Sequence, residues 1–129
     1  MKIIVLAGGL SPERDVSLIS GAGICKTLRE RGHQAYLLDV YFGLPYDADK
    51  LDEVFDLPDA GLGIAEGIKT TMPDLDALKK SRPDQSDCYL GPNVIELCRM
   101  ADITFMALHG SVGENGKLQA TFDILGIRY

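Results

Sequence analysis

The sequence contains no tryptophan, and its 129 residues include only two histidines and three cysteines. The cysteines, Cys25, Cys88 and Cys98, are odd in number and form no CxxC pair, which argues against a disulfide framework or a structural zinc site. We interpret them as the reduced thiols of a cytoplasmic protein. Only His33 and His109 are then available as histidines for acid–base or metal chemistry.

Basic residues and long apolar runs are also scarce. Thirteen lysines and arginines stand against nineteen aspartates and glutamates, and the resulting net charge of −6 disfavours nucleic acid or an anionic membrane as a partner. The longest apolar runs, residues 3–7 and 103–108, are far shorter than the roughly 18 residues of a membrane span. The first run ends at Gly8, too early for a signal peptide. The sequence therefore predicts a cytoplasmic protein.

The residues that are present follow the pattern of an α/β protein. A hydrophobic content of 46% and a length of 129 residues fit one globular domain. Residues 2–7, 35–40 and 102–108 are continuously apolar, as in strands buried on both faces of a parallel sheet. Residues 13–31 carry apolar or small side chains at helical spacing and should form the longest helix. We predict an open, Rossmann-like parallel sheet with helices on both faces.

Smaller signals complete this prediction of the fold. Ser11 suits the N-cap of the first helix, and Pro12 suits its first position. Residues 41–91 are rich in proline and aspartate and are predicted to form a loop-rich insertion of short elements, with a hairpin around 59–61.

The last part of the sequence again shows regular patterns. Residues 92–100 predict a short helix, and Leu118, Phe122 and Leu125 mark another helix that Gly126 ends. Residues 127–129 resemble the start of a fourth strand, so we expect the chain to be one part of a longer protein.

Two loops are candidate binding sites because each follows the carboxyl end of a predicted strand, where open α/β sheets bind ligands. The first loop, residues 8–13, does not match GxGxxG, since Leu10 and Glu13 stand where that motif has glycine. A dinucleotide site with Asp39 as the ribose ligand is therefore disfavoured. The Glu13 carboxylate suits a cationic ligand group, although it could simply stabilise the helix N-terminus.

The second loop, residues 109–116, contains three glycines after His109. A glycine loop that leads into a helix exposes backbone N–H groups, which favours a functional histidine over one that is merely hydrogen-bonded at a strand end. Glu114 could orient that histidine or cap the next helix. The acidic residues of the insertion lack the spacing of a calcium loop and are interpreted as a solvated face. They are Asp47, Asp49, Asp52, Glu53, Asp56 and Asp59.

Two motifs carry a more specific resemblance. Residues 8–17, GGLSPERDVS, followed by Ser20 and Gly21, closely resemble the amino-terminal signature of D-alanine–D-alanine ligases. ALHG at 107–110, with GENG at 113–116 and LQ at 118–119, resembles the second signature of that family. The two motifs lie in order and in the expected structural contexts. The resemblance covers residues 1–40 and 91–129, whereas the insertion is not diagnostic.

The resemblance implies that the chain is the amino-terminal, pre-ATP-grasp domain of an ATP-grasp ligase. Central and carboxyl-terminal domains, absent from this chain, would hold ATP and Mg²⁺. The implied reaction activates one D-alanine carboxylate as an acyl phosphate, which the amine of a second D-alanine attacks, and the product enters peptidoglycan. The resemblance also implies a homodimer of the full-length enzyme and no catalysis by this chain alone.

Site residues are carried over by position in the two motifs. Glu13 would bind the ammonium group of the first D-amino acid, and Val16 would pack near its methyl group. His109, with Gly110, would lie by the substrate carboxylate, and Glu114 would support that loop. Asn115 departs from the pattern, because many relatives have aspartate there (the change weakens a supporting charge rather than the assignment).

Other functions stay open at this point. One is a non-catalytic interaction or regulatory domain that kept the fold, although such a scaffold has no need of both Glu13 and His109. Another is a ligase that joins D-alanine to D-serine or D-lactate. A third is a different nucleotide-binding α/β protein, which would need a first loop that accepts phosphate.

Overall fold

The computed structural model describes residues 1–68, 73–110 and 115–129. Its described residues form one open parallel sheet with the strand order β2-β1-β3. The strands are β1 (Lys2–Ala7), β2 (Gln34–Asp39) and β3 (Ile103–Met106). The predicted parallel α/β fold is therefore confirmed, and the carboxyl ends of all three strands meet at one edge of the sheet.

Four α-helices and two 3₁₀ helices surround this sheet in the described part of the chain. The longest is α1, with 17 residues, which lies in the predicted 13–31 region. The α-helices are α1 (Arg14–Glu30), α2 (Leu75–Ser81), α3 (Val94–Met100) and α4 (Lys117–Leu125). The 3₁₀ helices span Ala48–Asp56 and Leu62–Ala65. Among the described residues, no helix combines the length and apolar character needed to cross a membrane.

The core divides into two clusters because successive side chains of a strand point to opposite faces of the sheet. On one face, Ile3, Val5 and Ala7 pack with Leu18 and Cys25 of α1. The opposite face is packed by the first 3₁₀ helix, α3 and α4. Its buried members include Ile4, Leu6, Leu38, Val54, Leu97 and Phe122. The prediction of helices on both faces is confirmed.

The third strand differs from its prediction. It is shorter than residues 102–108, and it is an edge strand of the described sheet rather than one buried on both faces. Phe105 is 45% exposed, because no described element covers it. Residues 127–129 form no regular strand, although the Thr104 N–H donates a 2.9 Å hydrogen bond to the Arg128 carbonyl. Only that single pairing supports the predicted fourth strand.

The start of α1 also differs from its prediction. The helix begins at Arg14, with Glu13 in the N-cap position, so Ser11 is not the cap and Pro12 is not the first helical residue. The Ser11 hydroxyl instead accepts a hydrogen bond from the Glu13 N–H at 3.1 Å. Serine hydroxyls readily form such local turns, which compete with helix initiation.

The insertion contains short elements, as predicted, but no hairpin at residues 59–61. Ala60 and Gly61 form a turn that leads into the second 3₁₀ helix. The Ala60 carbonyl accepts a 2.8 Å hydrogen bond from the Leu37 N–H, so this turn covers the outer edge of β2. All six acidic residues assigned to a solvated face, from Asp47 to Asp59, are exposed, which confirms that interpretation.

The three cysteines are unpaired, which confirms the interpretation that they are free thiols. Cys25 and Cys98 are buried in the two core clusters, whereas Cys88 is exposed. Burial disfavours the charged thiolate and raises the pKa of Cys25 and of Cys98 to about 11. Both thiols therefore stay protonated at neutral pH and behave as small apolar side chains.

Candidate functional site

The first loop leaves β1 through two glycines and is held by side chains from three elements. Gly8 and Gly9 have φ values of +75° and +87°, which suit glycine. The Gly8 N–H donates to Ser17 Oγ at 2.9 Å, and the Gly9 N–H donates to Asp39 Oδ1 at 3.3 Å. The Leu10 N–H donates to the Tyr89 hydroxyl at 2.9 Å. Since these donors already have partners within the protein, the loop offers a phosphate no cradle of free N–H groups.

Asp39 holds the base of this loop from the end of β2. Its Oδ1 accepts hydrogen bonds from the backbone N–H groups of Gly9, Tyr41 and Phe42 at 2.9–3.3 Å. Its Oδ2 lies 2.5 Å from Arg14 Nη2 in an ion pair that is almost completely buried. Both carboxylate oxygens are occupied, so Asp39 has a positioning role and is not placed to bind a ribose.

The second loop is tied to the first through α1. The buried Ser17 hydroxyl, which accepts from Gly8, donates to the Ala107 carbonyl at 2.5 Å. Two residues further along the chain, His109 is half-buried, and Gly110 has a φ of +95°. A Cβ placed on Gly110 would clash with the Ser11 hydroxyl, which is hydrogen-bonded to Glu13, and would lie 3.1 Å from Glu13 Oε2. The structure therefore brings the backbone beside His109 directly against the Glu13 carboxylate.

Glu13 presents an exposed carboxylate at this junction. The Ser11 hydroxyl donates to Glu13 Oε2 at 2.6 Å. Neither of the two ion pairs found in residues 1–68, 73–110 and 115–129 involves Glu13. A carboxylate held by one neutral donor and not neutralised by a described cation is suited to receive an ammonium group. This geometry permits both roles expected for Glu13, namely stabilising the helix N-terminus and binding a ligand.

The structure describes two of the three remaining residues of the predicted site, Val16 and Asn115. Val16 lies in the first turn of α1, the helix that Glu13 caps, and is 57% exposed. Glu114 lies outside the described residues. Asn115, the departure from the family pattern, uses its Oδ1 to accept a 3.1 Å hydrogen bond from the Lys117 N–H at the start of α4.

Sequence reasoning did not find the residues that hold the site together. Arg14, Ser17 and Tyr89 had no predicted role, and Asp39 was considered only as a ribose ligand. The position of Asp39 at the carboxyl end of a buried strand is a usable signal, because a charge there needs a partner. The contact between Tyr89 and Leu10 joins residues 79 positions apart and has no signal in local spacing.

The described residues of this chain do not fit ATP and Mg²⁺. Within the described ranges, no group of three histidine, cysteine, aspartate or glutamate side chains is arranged to hold a metal ion. The N–H groups of the first loop are taken, and Glu13 would repel a phosphate beside them. The arrangement instead provides the exposed Glu13 carboxylate, which belongs to neither described ion pair, beside Gly110.

Comparison with known sequences matches the chain to one family of proteins. A sequence profile described as "D-ala D-ala ligase N-terminus" matches residues 2–129. The D-alanine–D-alanine ligase of Lacticaseibacillus casei is 46% identical over the whole chain, and that of Pediococcus pentosaceus is 39% identical. The corresponding ligase of Coprothermobacter proteolyticus is 33% identical, again over the whole chain.

The match covers only part of each relative. This chain spans 36% of the length of the first two ligases and 27% of the third. The matching profile covers nearly every residue, including both loops that meet at Glu13 and Gly110. The chain therefore belongs to the family of D-alanine–D-alanine ligase amino-terminal domains.

Proposed function

We propose that this domain binds the first D-alanine in an ATP-dependent D-alanine–D-alanine ligase. The observation that carries the proposal is the contact between the two signature loops, in which Gly110 lies against the exposed Glu13 carboxylate. A small zwitterion needs an anionic group for its ammonium and donors for its carboxylate. Where the two loops meet, Glu13 offers the anionic group, and the loop that begins at His109 offers the donors.

Each site residue has a distinct part in this proposal. Glu13 forms a charge-assisted hydrogen bond with the substrate ammonium, and His109 and Gly110 orient the substrate carboxylate. Val16 packs near the methyl group, which its exposed position on α1 allows. Glu114 supports the His109 loop. Fixing the acceptor and donor groups in this way aligns the carboxylate for activation.

The remaining chemistry belongs to parts of the ligase that this chain does not span. ATP and Mg²⁺ would bind in the other two thirds of a protein as long as the Lacticaseibacillus casei relative. We further propose that the complete protein acts in the cytoplasm as a homodimer and supplies its dipeptide to peptidoglycan. A ligase for D-serine or D-lactate as the second substrate would use the same Glu13 site.

A chimera tests this function. In it, this chain replaces the matching region of the Lacticaseibacillus casei ligase, to which it is 46% identical. We expect dipeptide synthesis from D-alanine, ATP and Mg²⁺. The substitution Glu13→Gln should raise the KM for the first D-alanine by roughly tenfold or more, since a charge-assisted hydrogen bond contributes about 1.5–3 kcal/mol.

Asp15→Asn is the matched control, because it removes one negative charge from the first turn of α1 two residues away. Its KM should stay within twofold of the unsubstituted chimera. If Glu13→Gln behaves like Asp15→Asn, Glu13 only stabilises the helix terminus and the proposed site is wrong.

A further inference from the structure

Tyr89 links the far end of the insertion to the first loop of the candidate site. Tyr89, near the end of the insertion, accepts the Leu10 N–H at its hydroxyl oxygen at 2.9 Å. Leu10 lies three residues before Glu13 in the first loop. A Cβ on the neighbouring Gly9 would lie 2.5 Å from the same hydroxyl oxygen, so the loop backbone passes directly beside Tyr89.

The backbone on both sides of Tyr89 is held by the buried side chain of Arg82. Arg82 is only 1% exposed, and its guanidinium donates to the Cys88 carbonyl and, at 3.2 Å, to the Leu90 carbonyl. These two carbonyls flank Tyr89 on both sides. Arg82 also pairs with Asp84, with Nε 2.8 Å from Oδ1. The backbone around Tyr89 is thereby fixed by a buried charge.

Aromatic packing fixes the ring of Tyr89 as well. The Arg82 guanidinium lies over the ring of Tyr41, 4.5 Å from its centroid. The Tyr41 ring in turn makes an edge contact with Tyr89, with centroids 5.8 Å apart. Cation–π and edge contacts of this kind stabilise a particular ring orientation. The Tyr89 hydroxyl is therefore directed at Leu10 by a preorganised support.

Packing alone does not hold the Leu10 side of the loop. Leu10 is only half-buried, and a cavity of 390 Å³ opens beside it, lined in part by Tyr41 and Tyr89. Gly9, by contrast, is held through both backbone groups, since its N–H donates to Asp39 and its carbonyl accepts from Arg14 at 3.0 Å. The Tyr89 hydroxyl accepts the next N–H along the chain towards Glu13, that of Leu10.

We propose that Tyr89 is a positioning residue, which fixes the Leu10 backbone and thereby places the Glu13 carboxylate for the ammonium group of the first D-amino acid. The effect on substrate rests on the function proposed above, whereas the restraint of Leu10 does not. The insertion, which contains neither of the two signature motifs, thus contributes to the site through the Tyr89 hydroxyl as well as through the Tyr41 and Phe42 N–H groups that hold Asp39.

The restraint is tested first on this chain by amide hydrogen exchange. Tyr89→Phe keeps the ring against Tyr41 and removes only the hydroxyl, so the global stability should change little. The Leu10 amide should exchange about tenfold faster in this variant, with the amides of the three strands unaffected. Tyr46→Phe, which removes a hydroxyl elsewhere in the insertion, should leave Leu10 exchange unchanged. Unchanged Leu10 exchange in Tyr89→Phe would overturn the proposal.

Substrate kinetics of the chimera test the second step. Tyr89→Phe should raise the KM for the first D-alanine by about two- to tenfold, with kcat within twofold, because one neutral hydrogen bond is lost. A merely structural role would instead lower the amount of folded enzyme and leave KM unchanged, and that result would overturn the effect on substrate. If the unsubstituted chimera makes no dipeptide, the proposed function fails, while Leu10 exchange still decides the restraint.

Discussion

Arg14 and Asp39 form a nearly buried ion pair that joins the first turn of α1 to the end of β2, with Nη2 and Oδ2 2.5 Å apart. Arg14 also donates to the Gly9 carbonyl at 3.0 Å and lies over the ring of Phe42. The pair therefore fixes the backbone from which the Glu13 loop departs. Because both partners are removed from water, each depends on the other for compensation of its charge.

Asp39→Asn should lower the free energy of unfolding by about 3–5 kcal/mol, because it leaves the Arg14 guanidinium buried without a counter-charge. The amide keeps the size of the side chain, so a cavity does not contribute. Urea denaturation followed by circular dichroism measures the change. Asp52→Asn, at an exposed position, should stay within about 0.5 kcal/mol. Equal stabilities of the two variants would contradict a structural role for the pair.

Gly110→Ala should weaken both folding and substrate binding. The residue has a φ of +95°, and its new Cβ would clash with the Ser11 hydroxyl, which is hydrogen-bonded to Glu13, and would lie 3.1 Å from Glu13 Oε2. Gly116→Ala is a matched control, since its φ is +85° and no atom of residues 1–68, 73–110 or 118–129 lies within 4 Å of its Cβ. Each variant should lose about 1–2 kcal/mol through backbone strain.

Only Gly110→Ala should also raise the KM for D-alanine in the chimera, by displacing Glu13. The same KM for both variants would show that Gly110 is needed for its backbone conformation alone.

The stability of the domain should fall above about pH 9. The buried thiols of Cys25 and Cys98 have their pKa raised from 9.0 to about 11, so between these values the folded state binds more protons than the unfolded state. Each thiol then lowers the free energy of unfolding by up to about 1.4 kcal/mol per pH unit, with no effect below pH 9. Burial raises the pKa of Tyr36 and Tyr89 as well, which acts in the same direction.

Denaturation at pH 8 and pH 10.5 checks this dependence. Cys25→Ala should reduce the loss of stability between the two pH values, whereas Cys88→Ala, at an exposed position, should not alter it. If the unsubstituted protein and both variants show the same pH dependence, groups other than Cys25 cause the loss of stability at alkaline pH.

The isolated chain should show no saturable binding of ATP–Mg²⁺ in the micromolar range and no phosphate release. The loop N–H groups that could receive a phosphate are held by Ser17, Asp39 and Tyr89. Isothermal calorimetry, together with a phosphate assay in the presence of D-alanine, measures both properties. Micromolar affinity for ATP would contradict the assignment of nucleotide binding to other parts of the ligase.

The sheet could be predicted from the sequence because its strands are physically unambiguous. The unbroken apolar run of β1 permits no amphipathic helix, and parallel strands place their following loops at one edge. That edge was enough to predict that Glu13 and His109 belong to one candidate site, which stays a prediction. The prediction of β3 was less accurate because an edge strand can leave an aromatic side chain such as Phe105 exposed, and local sequence does not distinguish edge from centre.

The supports of the site could not be predicted in the same way. Serine is a common helix N-cap, yet the Ser11 hydroxyl forms hydrogen bonds with the carboxylate and the N–H group of Glu13. Only the folded loop determines which of these roles the hydroxyl takes. The pairing of Arg14 with Asp39 and of Leu10 with Tyr89 depends on tertiary packing between distant segments. Periodicity identifies which faces are buried, but it does not specify which polar groups meet across them.

The single hydroxyl of Ser17 acts as a spacer of fixed length between the two signature loops. It accepts from Gly8 and donates to Ala107, so one oxygen atom bridges the backbones that lead to Glu13 and His109. A displacement of either backbone is therefore transmitted to the other through a rigid side chain at a buried position. The two backbones that approach the candidate site therefore share one buried point of attachment, the Ser17 hydroxyl.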